Sequence, residues 1–150
     1  MRSATDVPLA PLTTLRLGGP ARRLVVIESE EELVGAVREA DRDHTPLLLV
    51  GGGSNLVISD EGFPGTVLQI ATRGSRRERD GDRVLLTAQA GEVWDQLVAA
   101  AVEEGLAGVE CLAGIPGLVG AVPMQNVGAY GQDVSETLVR LRAFDRDAGQ

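Results

Sequence analysis

The chain contains no lysine, because all 14 of its basic residues are arginine, and these are outnumbered by 22 acidic residues. The absence of lysine excludes a P-loop, whose phosphate site requires one. A formal net charge of −8 argues against a nucleic-acid-binding surface. One basic cluster exists, but no aromatic residues are interleaved with it, so we expect it to be a solvated strand face. Its members are Arg73, Arg76, Arg77 and Arg79.

Cysteine and histidine occur once each, as Cys111 and His44. A single cysteine excludes an internal disulfide and fits a reducing cytosol, and the two residues cannot assemble a zinc site in the usual way. Cys111 is expected to be a small buried apolar residue, and His44 a solvent-facing residue at a helix end. No apolar run approaches the ~18 residues of a membrane span, and the first residues lack a signal-peptide core. We therefore expect a cytoplasmic protein that binds neither membrane nor nucleic acid.

Glycine is abundant, with 19 residues, and two glycine-rich segments dominate the chain. The first, Gly51–Asn55 (GGGSN), lies between two strand-like apolar runs, Leu47–Val50 and Leu56–Ile58. A Rossmann fingerprint would instead open a helix, so the order strand, glycine turn, strand predicts a different kind of phosphate site. If a diphosphate binds there, its donors are the amides of the turn, the hydroxyl of Ser54 and the side-chain amide of Asn55.

The second segment, residues 114–131, has the sequence GIPGLVGAVPMQNVGAYG. Its glycines and prolines remove both helical and strand periodicity, and an irregular segment of this length is usually either functional or disordered. Disorder is not expected, because apolar side chains in it would favour burial, namely Ile115, Leu118, Val119, Val122, Met124, Val127 and Tyr130. A ligand-lining loop is therefore predicted. For Tyr130, two interpretations are open: packing on a ligand and packing in the core.

The first seventy residues predict a β-α-β unit. A buried strand at Leu24–Ile27 precedes a helix that Ser29 and Glu32 begin as a capping box. Apolar residues recur along one face of this helix, as they do when a helix packs on a sheet, and Pro46 starts a strand that ends at Val50. This arrangement predicts a parallel sheet covered by a helix.

The remaining pattern predicts several further elements, and Trp94 is expected to lie on the core face of the helix among them. In chain order they are a turn at Gly62–Gly65, a strand at Thr66–Ala71, an antiparallel pair at Arg76–Arg79 and Arg83–Gln89, a helix between Gly91 and Gly105, and an unpaired strand at Thr137–Phe144. These elements predict two lobes of mixed α and β structure, residues 1–70 and 71–150.

Three collinear motifs resemble those of the UDP-N-acetylenolpyruvoylglucosamine reductase family, the flavoenzymes of bacterial peptidoglycan precursor synthesis. They are residues 14–21 (TLRLGGPA), residues 50–56 (VGGGSNL) and residues 115–131, which include the string QNVGAYG. The glycine loop alone is a weak signal, since other flavoproteins have a similar one, whereas the string Gln-Asn-x-Gly-Ala-Tyr-Gly further along is specific. Ala121 departs from the family, which often has a second glycine there.

The resemblance implies an α+β, two-lobed FAD-binding fold of the PCMH / vanillyl-alcohol-oxidase type. It further implies non-covalent FAD, NADPH as co-substrate, and reduction of a UDP-sugar, UDP-N-acetylglucosamine enolpyruvate, to UDP-N-acetylmuramate in cell wall biogenesis, on which cell shape and division depend. The cofactor-binding residues that it implies are Val50, Gly51, Gly52, Gly53, Ser54, Asn55 and Leu56 in the first segment, and Ile115, Gly120, Ala121, Met124, Gln125, Asn126, Gly128, Ala129 and Tyr130 in the second.

Members of the family are longer than this chain, and their substrate-binding C-terminal domain, catalytic arginine, glutamate and proton donor have no counterpart in it. We therefore name no catalytic residue and expect these 150 residues alone to be inactive and to bind FAD weakly or not at all. Two alternatives are open: another FAD-dependent oxidase or dehydrogenase of the same fold, and a flavin-binding fragment without activity. The sequence carries no signal of oligomeric state.

Overall fold

The computed structural model describes all 150 residues, and the chain forms two compact units. The first unit contains Met1–Thr72 together with Arg142–Gln150, and the second contains Arg73–Leu141. Helices and strands both occur, so the expected α+β class is confirmed. The segment Arg142–Gln150, which the sequence analysis assigned to the second lobe, belongs instead to the first unit, because Phe144 packs against the core of that unit.

A four-stranded sheet forms the centre of the first unit, with the strand order β1-β2-β4-β3. Its strands are β1 (Arg2–Pro8), β2 (Pro20–Ile27), β3 (Leu47–Val50) and β4 (Phe63–Ile70). β2 and β3 each pair in parallel with β4, and helix α1 (Glu30–Arg42) connects β2 to β3. The predicted parallel β-α-β unit is therefore confirmed, with β4 lying between its two strands. β1 pairs antiparallel with β2 and has no counterpart in the sequence-based expectations.

Helix α1 begins after its N-cap, Ser29, whose hydroxyl oxygen accepts a hydrogen bond from the backbone N–H of Glu32 at 3.2 Å. The Glu32 carboxylate accepts from the backbone N–H of Glu28 at 2.8 Å, whereas a complete capping box would use the N–H of Ser29. Half of the predicted box is thus formed. The helix then packs on the sheet in a core made by Val25, Ile27, Ala36, Val37 and Leu68.

The expected turn at Gly62–Gly65 is wrong, because β4 already begins at Phe63. A register shift opposite residues 21–23 of β2 accommodates the extra residue. Gly65 allows the main chain at Pro46 to approach closely, since a Cβ on Gly65 would lie 2.0 Å from the carbonyl oxygen of Pro46. The sequence pattern of a turn is therefore used within a bulged strand.

The expected strand at Leu56–Ile58 is also wrong, because these residues belong to no strand of the sheet. Leu56 and Ile58 pack against the core of the first unit, and Val57 between them is exposed. This alternation is typical of a half-buried strand, but no neighbouring strand supplies backbone hydrogen bonds. The observed order is strand, glycine turn and irregular segment.

The second unit begins with a hairpin of β5 (Ser75–Asp80) and β6 (Arg83–Ala88), followed by helix α2 (Trp94–Glu103). These elements confirm the predicted antiparallel pair and second helix. Strand β5 is exposed along its whole length, as expected for a solvated arginine cluster. Trp94 is buried and its Nε1–H donates to the carbonyl oxygen of Leu112 at 3.0 Å, so it is a core residue, as predicted.

Residues 114–131 are largely irregular, as predicted, and contain two short 3₁₀ turns. At their end, β7 (Gly128–Ala129) and β8 (Gln132–Asp133) form a small hairpin. The two residues that join them, Tyr130 and Gly131, both have positive φ, +53° and +83°. Positive φ at both central positions is the mark of a type I′ turn, which suits a two-residue hairpin.

The strand expected at Thr137–Phe144 does not form, so that expectation is wrong. The chain continues into a tight turn in which Asp145 and Gln150 exchange backbone hydrogen bonds of 2.8 and 3.2 Å. An ion pair between Arg146 and Asp41 attaches this turn to α1. The segment is therefore held to the first unit by side chains and not by strand pairing.

Candidate functional site

The three glycines of the first segment differ in their surroundings. Gly51 and Gly52 are exposed, whereas Gly53 is buried and has a φ of +69°. A Cβ on Gly53 would lie 1.9 Å from the carbonyl oxygen of Leu12. The carbonyl of Gly53 in turn accepts a hydrogen bond from the backbone N–H of Thr14 at 3.0 Å. Gly53 therefore anchors the turn to the preceding chain, while Gly51 and Gly52 present backbone to solvent.

The chain that supports Gly53 is itself held by the buried side chain of Thr13. Its hydroxyl donates to the carbonyl oxygen of Leu17 at 2.8 Å and accepts from the Leu17 N–H at 3.1 Å. Arg16, inside this closed turn, has a φ of +57°, which is uncommon for a residue with a side chain. The structure thus adds a second turn, residues 13–17, beside the glycine turn.

The residues that flank the glycine turn have supporting positions. Val50 is completely buried and packs with Leu9, Ala21 and Val67, and Leu56 lies partly buried against the same cluster. Their side chains fix both ends of the turn and do not offer an open surface to a ligand. Ser54 is half-buried and Asn55 exposed, so both predicted polar donors lie at the accessible part of the turn.

The second segment lines an open cleft of about 820 Å³ within the second unit. Five of the residues predicted from the sequence take part, and they are Ile115, Gln125, Asn126, Gly128 and Ala129. The cleft has both polar and apolar walls. The irregular segment thus has a concave surface, and its predicted role in lining a ligand stays a prediction.

Sequence analysis missed two polar residues of the cleft, Gln132 and Asp133. The hydroxyl and the backbone N–H of Ser135 both donate to the Asp133 carboxylate, and the hydroxyl bond is the main reason why the pKa of Asp133 lies below its ordinary value. Asn126, with a φ of +42°, accepts from the same Ser135 N–H at 3.2 Å. An aspartate followed two residues later by serine is a common local turn pattern, and this pattern is the sequence signal from which the position of Asp133 could have been predicted.

Gly120 and Ala121 lie in a 3₁₀ turn at Val119–Ala121. The N–H of Gly120 donates to the carbonyl oxygen of Ala90 at 2.9 Å, and a Cβ on Gly120 would lie 2.7 Å from the Cβ of Ala90. Only a residue without a side chain therefore allows the chain at position 120 to pack this closely against Ala90 within the second unit. Ala121, the departure from the family pattern, is half-buried.

Two apolar residues of the second segment are not buried, contrary to expectation. Met124 is 85% exposed and Tyr130 is 93% exposed. Tyr130 occupies the first position of the β7–β8 turn, where its positive φ directs the side chain away from the unit. Tyr130 therefore does not pack in the core of the second unit, and its packing on a ligand stays a prediction.

The two other residues considered for a functional role, His44 and Cys111, lie outside both glycine-rich segments. His44 is exposed just after the end of α1, with a φ of +51°, as expected for a helix end. Cys111 is a free, half-buried thiol and not the fully buried residue that was expected. No group of three or more histidine, cysteine and carboxylate side chains is placed to hold a metal ion. No helix is long and apolar enough to cross a membrane.

Comparison with known proteins gives consistent similarities. A sequence profile described as an FAD binding domain matches residues 21–150. The UDP-N-acetylenolpyruvoylglucosamine reductase of Streptomyces coelicolor is 61% identical over 145 residues, which are 97% of this chain and 37% of that protein. The enzyme of the same name from Thermobifida fusca is 55% identical over 146 residues, with 97% and 41% covered.

A solved structure is similar as well. The crystal structure of UDP-N-acetylenolpyruvylglucosamine reductase from Thermus caldophilus superposes with a TM-score of 0.68 at 34% identity, covering 89% of this chain and 45% of that one. The chain thus spans about two fifths of the length of the curated relatives that it matches.

Proposed function

Because the chain belongs to the FAD binding domain family, we propose that it is the non-covalent FAD-binding portion of an NADPH-dependent reductase. The reductase converts UDP-N-acetylglucosamine enolpyruvate to UDP-N-acetylmuramate in the cytoplasm. We include in this proposal the PCMH / vanillyl-alcohol-oxidase type of fold, with the lobe boundary near residues 70–73 and with residues 142–150 in the first lobe. The reductases named above, at 61% and 55% identity, support the choice of substrate.

The observation that carries the proposal is the glycine turn. Gly51 and Gly52 expose their backbone at the end of the edge strand β3, of which only the last residue, Val50, is buried. Gly53 holds the turn in place through Leu12 and Thr14. A rigid turn of exposed amides is suited to accept the oxygens of a diphosphate. Ser54 adds a hydroxyl donor at the same turn. The residues present therefore fit the diphosphate of FAD, although the chain has no lysine.

The second glycine-rich segment fits the other end of the cofactor. Its cleft of about 820 Å³ offers Ile115 and Ala129 as apolar wall and Gln125 and Asn126 as polar groups. In this proposal, the exposed side chains of Met124 and Tyr130 contact the ring system. Gly128 has no side chain and so leaves room for the ring in the cleft. These residues bind and orient the ring system and exclude water from one side of it.

When bound, FAD supplies hydride transfer between NADPH and the enolpyruvyl double bond. The residues of this chain contribute position: the turn fixes the diphosphate, and the cleft fixes the ring. The charged residue of the cleft is Asp133, whose lowered pKa keeps it ionised. A carboxylate cannot stabilise negative charge on the substrate, so we assign no catalytic residue to these 150 residues.

A chimera tests the proposal, with this chain replacing the segment that it matches in the Streptomyces coelicolor reductase. We expect the purified chimera to carry FAD and to oxidise NADPH in the presence of UDP-N-acetylglucosamine enolpyruvate. A chimera that folds without flavin would contradict the proposed binding. A flavin-loaded chimera that turns over with oxygen and ignores the enolpyruvyl nucleotide would favour an oxidase of the same fold.

A further inference from the structure

The glycine turn has no positive charge of its own to match the charge of a diphosphate. The turn, Gly51–Asn55, offers only neutral donors, while the diphosphate of FAD carries two negative charges. Arginine is the only basic residue type apart from the single histidine, and none occurs within the turn. Charged donors form shorter and stronger hydrogen bonds to phosphate than neutral ones. A cation from elsewhere in the first unit would therefore add substantially to diphosphate binding.

Backbone contacts show which residues lie next to the turn. The N–H of Thr14 donates to the carbonyl oxygen of Gly53 at 3.0 Å, and the N–H of Gly19 donates to that of Ser59 at 2.8 Å. The two ends of residues 14–19 are therefore hydrogen-bonded to the two ends of residues 53–59. Position 16 lies between these two contacts, only two residues after the one that joins Thr14 to the glycine turn. The residue at that position is Arg16.

The state of Arg16 fits a ligand-binding role. Its side chain is exposed and has neither an ion pair nor a hydrogen bond within the protein. Its φ of +57° is held by the turn that Thr13 closes onto Leu17. A residue with a side chain adopts this conformation at a cost, and such positions cluster at binding sites.

The sequence around the two turns is free of acidic residues, and the first ones beyond it are Asp6, Glu28, Asp43 and Asp60. Residues 7–27 and 44–59, which include both turns, contain no aspartate or glutamate, although the chain has 22 acidic residues. No nearby carboxylate of these stretches competes for the guanidinium. On the basis of the proposed function, we infer that Arg16 is the cationic partner of the FAD diphosphate bound at Gly51–Asn55.

The test is a titration of the ¹⁵N-labelled chain, followed by the amide resonances of Gly51–Asn55 up to millimolar ligand. FAD and riboflavin are compared, since riboflavin lacks the diphosphate. Arg16→Gln should weaken FAD binding about tenfold, as expected for loss of a charge-assisted hydrogen bond, and should leave riboflavin binding unchanged. Raising the salt concentration should weaken FAD binding less in this variant than in the parent chain.

Arg22→Gln is the matched control, because Arg22 is also exposed, has no ion pair and belongs to the same unit. It lies at the start of β2, next to the Ala21–Phe63 pair, whereas the glycine turn follows the far end of the parallel strand β3. Arg22→Gln should bind FAD like the parent chain. Equal losses in both variants would show an effect of net charge alone and would overturn the assignment.

Arg16→Gly separates binding from folding. Glycine accepts positive φ without penalty, so this variant should melt a few degrees higher than the parent chain while its FAD affinity falls. Unchanged FAD affinity in Arg16→Gln and Arg16→Gly, with FAD still shifting Gly51–Asn55, would overturn the role of Arg16 and leave the proposed function standing. If FAD does not shift these amides in the isolated chain, the same titration is made with the reductase chimera, and a chimera whose Gly51–Asn55 amides do not respond to FAD either would contradict both.

Discussion

A Cβ placed on Gly53 would lie 1.9 Å from the carbonyl oxygen of Leu12. The position of this Cβ and that of the carbonyl oxygen are both fixed by the main chain of the first unit. Neither can move aside as the end of a flexible side chain can. The third glycine of the triplet therefore serves the fold, while its two exposed neighbours face solvent. The sequence analysis had given all three the same role.

Gly53→Ala should consequently destabilise the first unit, by at least about 2 kcal/mol, because it combines a backbone clash with an unfavourable positive φ. Gly149→Ala is the control: its φ is +70°, and a Cβ on it meets no atom within 4 Å. That change should cost about 1 kcal/mol, the penalty of the conformation alone. Urea unfolding followed by circular dichroism measures both. Equal losses would mean that the Gly53–Leu12 contact relaxes without cost.

Gly52→Val should leave the fold intact and abolish FAD binding, since a branched side chain at an exposed amide blocks the approach of the diphosphate. Ser54→Ala should be milder, with a loss of about 0.5–1.5 kcal/mol in binding free energy for one hydrogen bond. Ser3→Ala, an exposed serine on β1, is the control. Calorimetric titration of FAD into the reductase chimera gives these values. Full flavin occupancy in Gly52→Val would place the diphosphate elsewhere.

The parts of the fold that the sequence predicts are those with local signals. The Ser29 cap and the apolar face of α1 mark one helix, and the turn-forming residues Asp80-Gly81-Asp82 between two short strands mark the β5–β6 hairpin. β1 lacks such a signal, because six of its seven residues are exposed and only pairing with β2 makes it a strand. Gly62–Gly65 shows the opposite case, in which tertiary pairing overrides a turn composition.

The candidate site divides in the same way. Glycine density and the Gln125-Asn126 pair are visible in the sequence, so both segments could be chosen from it. Which glycine is packed and which is open depends on contacts between distant residues, such as Gly53 with Leu12 and Gly120 with Ala90. The exposure of Tyr130 depends on a turn type that only the hairpin geometry defines. Local patterns do not contain this information.

Asp133 provides a prediction on pH. The Ser135 hydroxyl lowers its pKa in the folded state, so ionised Asp133 stabilises the second unit above the ordinary pKa of 3.8, and this contribution is lost as the pH falls through the lowered value. Ser135→Ala should raise the pKa of Asp133 toward 3.8, whereas Ser135→Thr keeps the hydroxyl and should change it little. Carbon NMR titration of the Asp133 carboxyl measures the pKa directly. The same pKa in Ser135→Ala and the parent chain would refute the hydroxyl as its cause.

Catalysis by the 150 residues alone is not expected. Neither glycine-rich segment contains an arginine to stabilise the substrate carboxylate, and neither contains a serine or cysteine other than Ser54 to donate a proton. The purified chain with saturating FAD, NADPH and UDP-N-acetylglucosamine enolpyruvate should therefore form no measurable UDP-N-acetylmuramate. The unmodified Streptomyces coelicolor reductase is the positive control for the assay. Product formation that depends on this chain would show that it carries catalytic groups of its own.

A crystal structure of the reductase chimera soaked with millimolar FAD tests the central claim most directly. The account predicts diphosphate oxygens within hydrogen-bonding distance of the backbone amides of Gly51 and Gly52 and of the Ser54 hydroxyl. It also predicts the isoalloxazine ring against the cleft that Ile115, Asn126 and Ala129 line. FAD bound with its diphosphate away from Gly51–Asn55, or a crystal in which both segments stay free of FAD at that concentration, would contradict it.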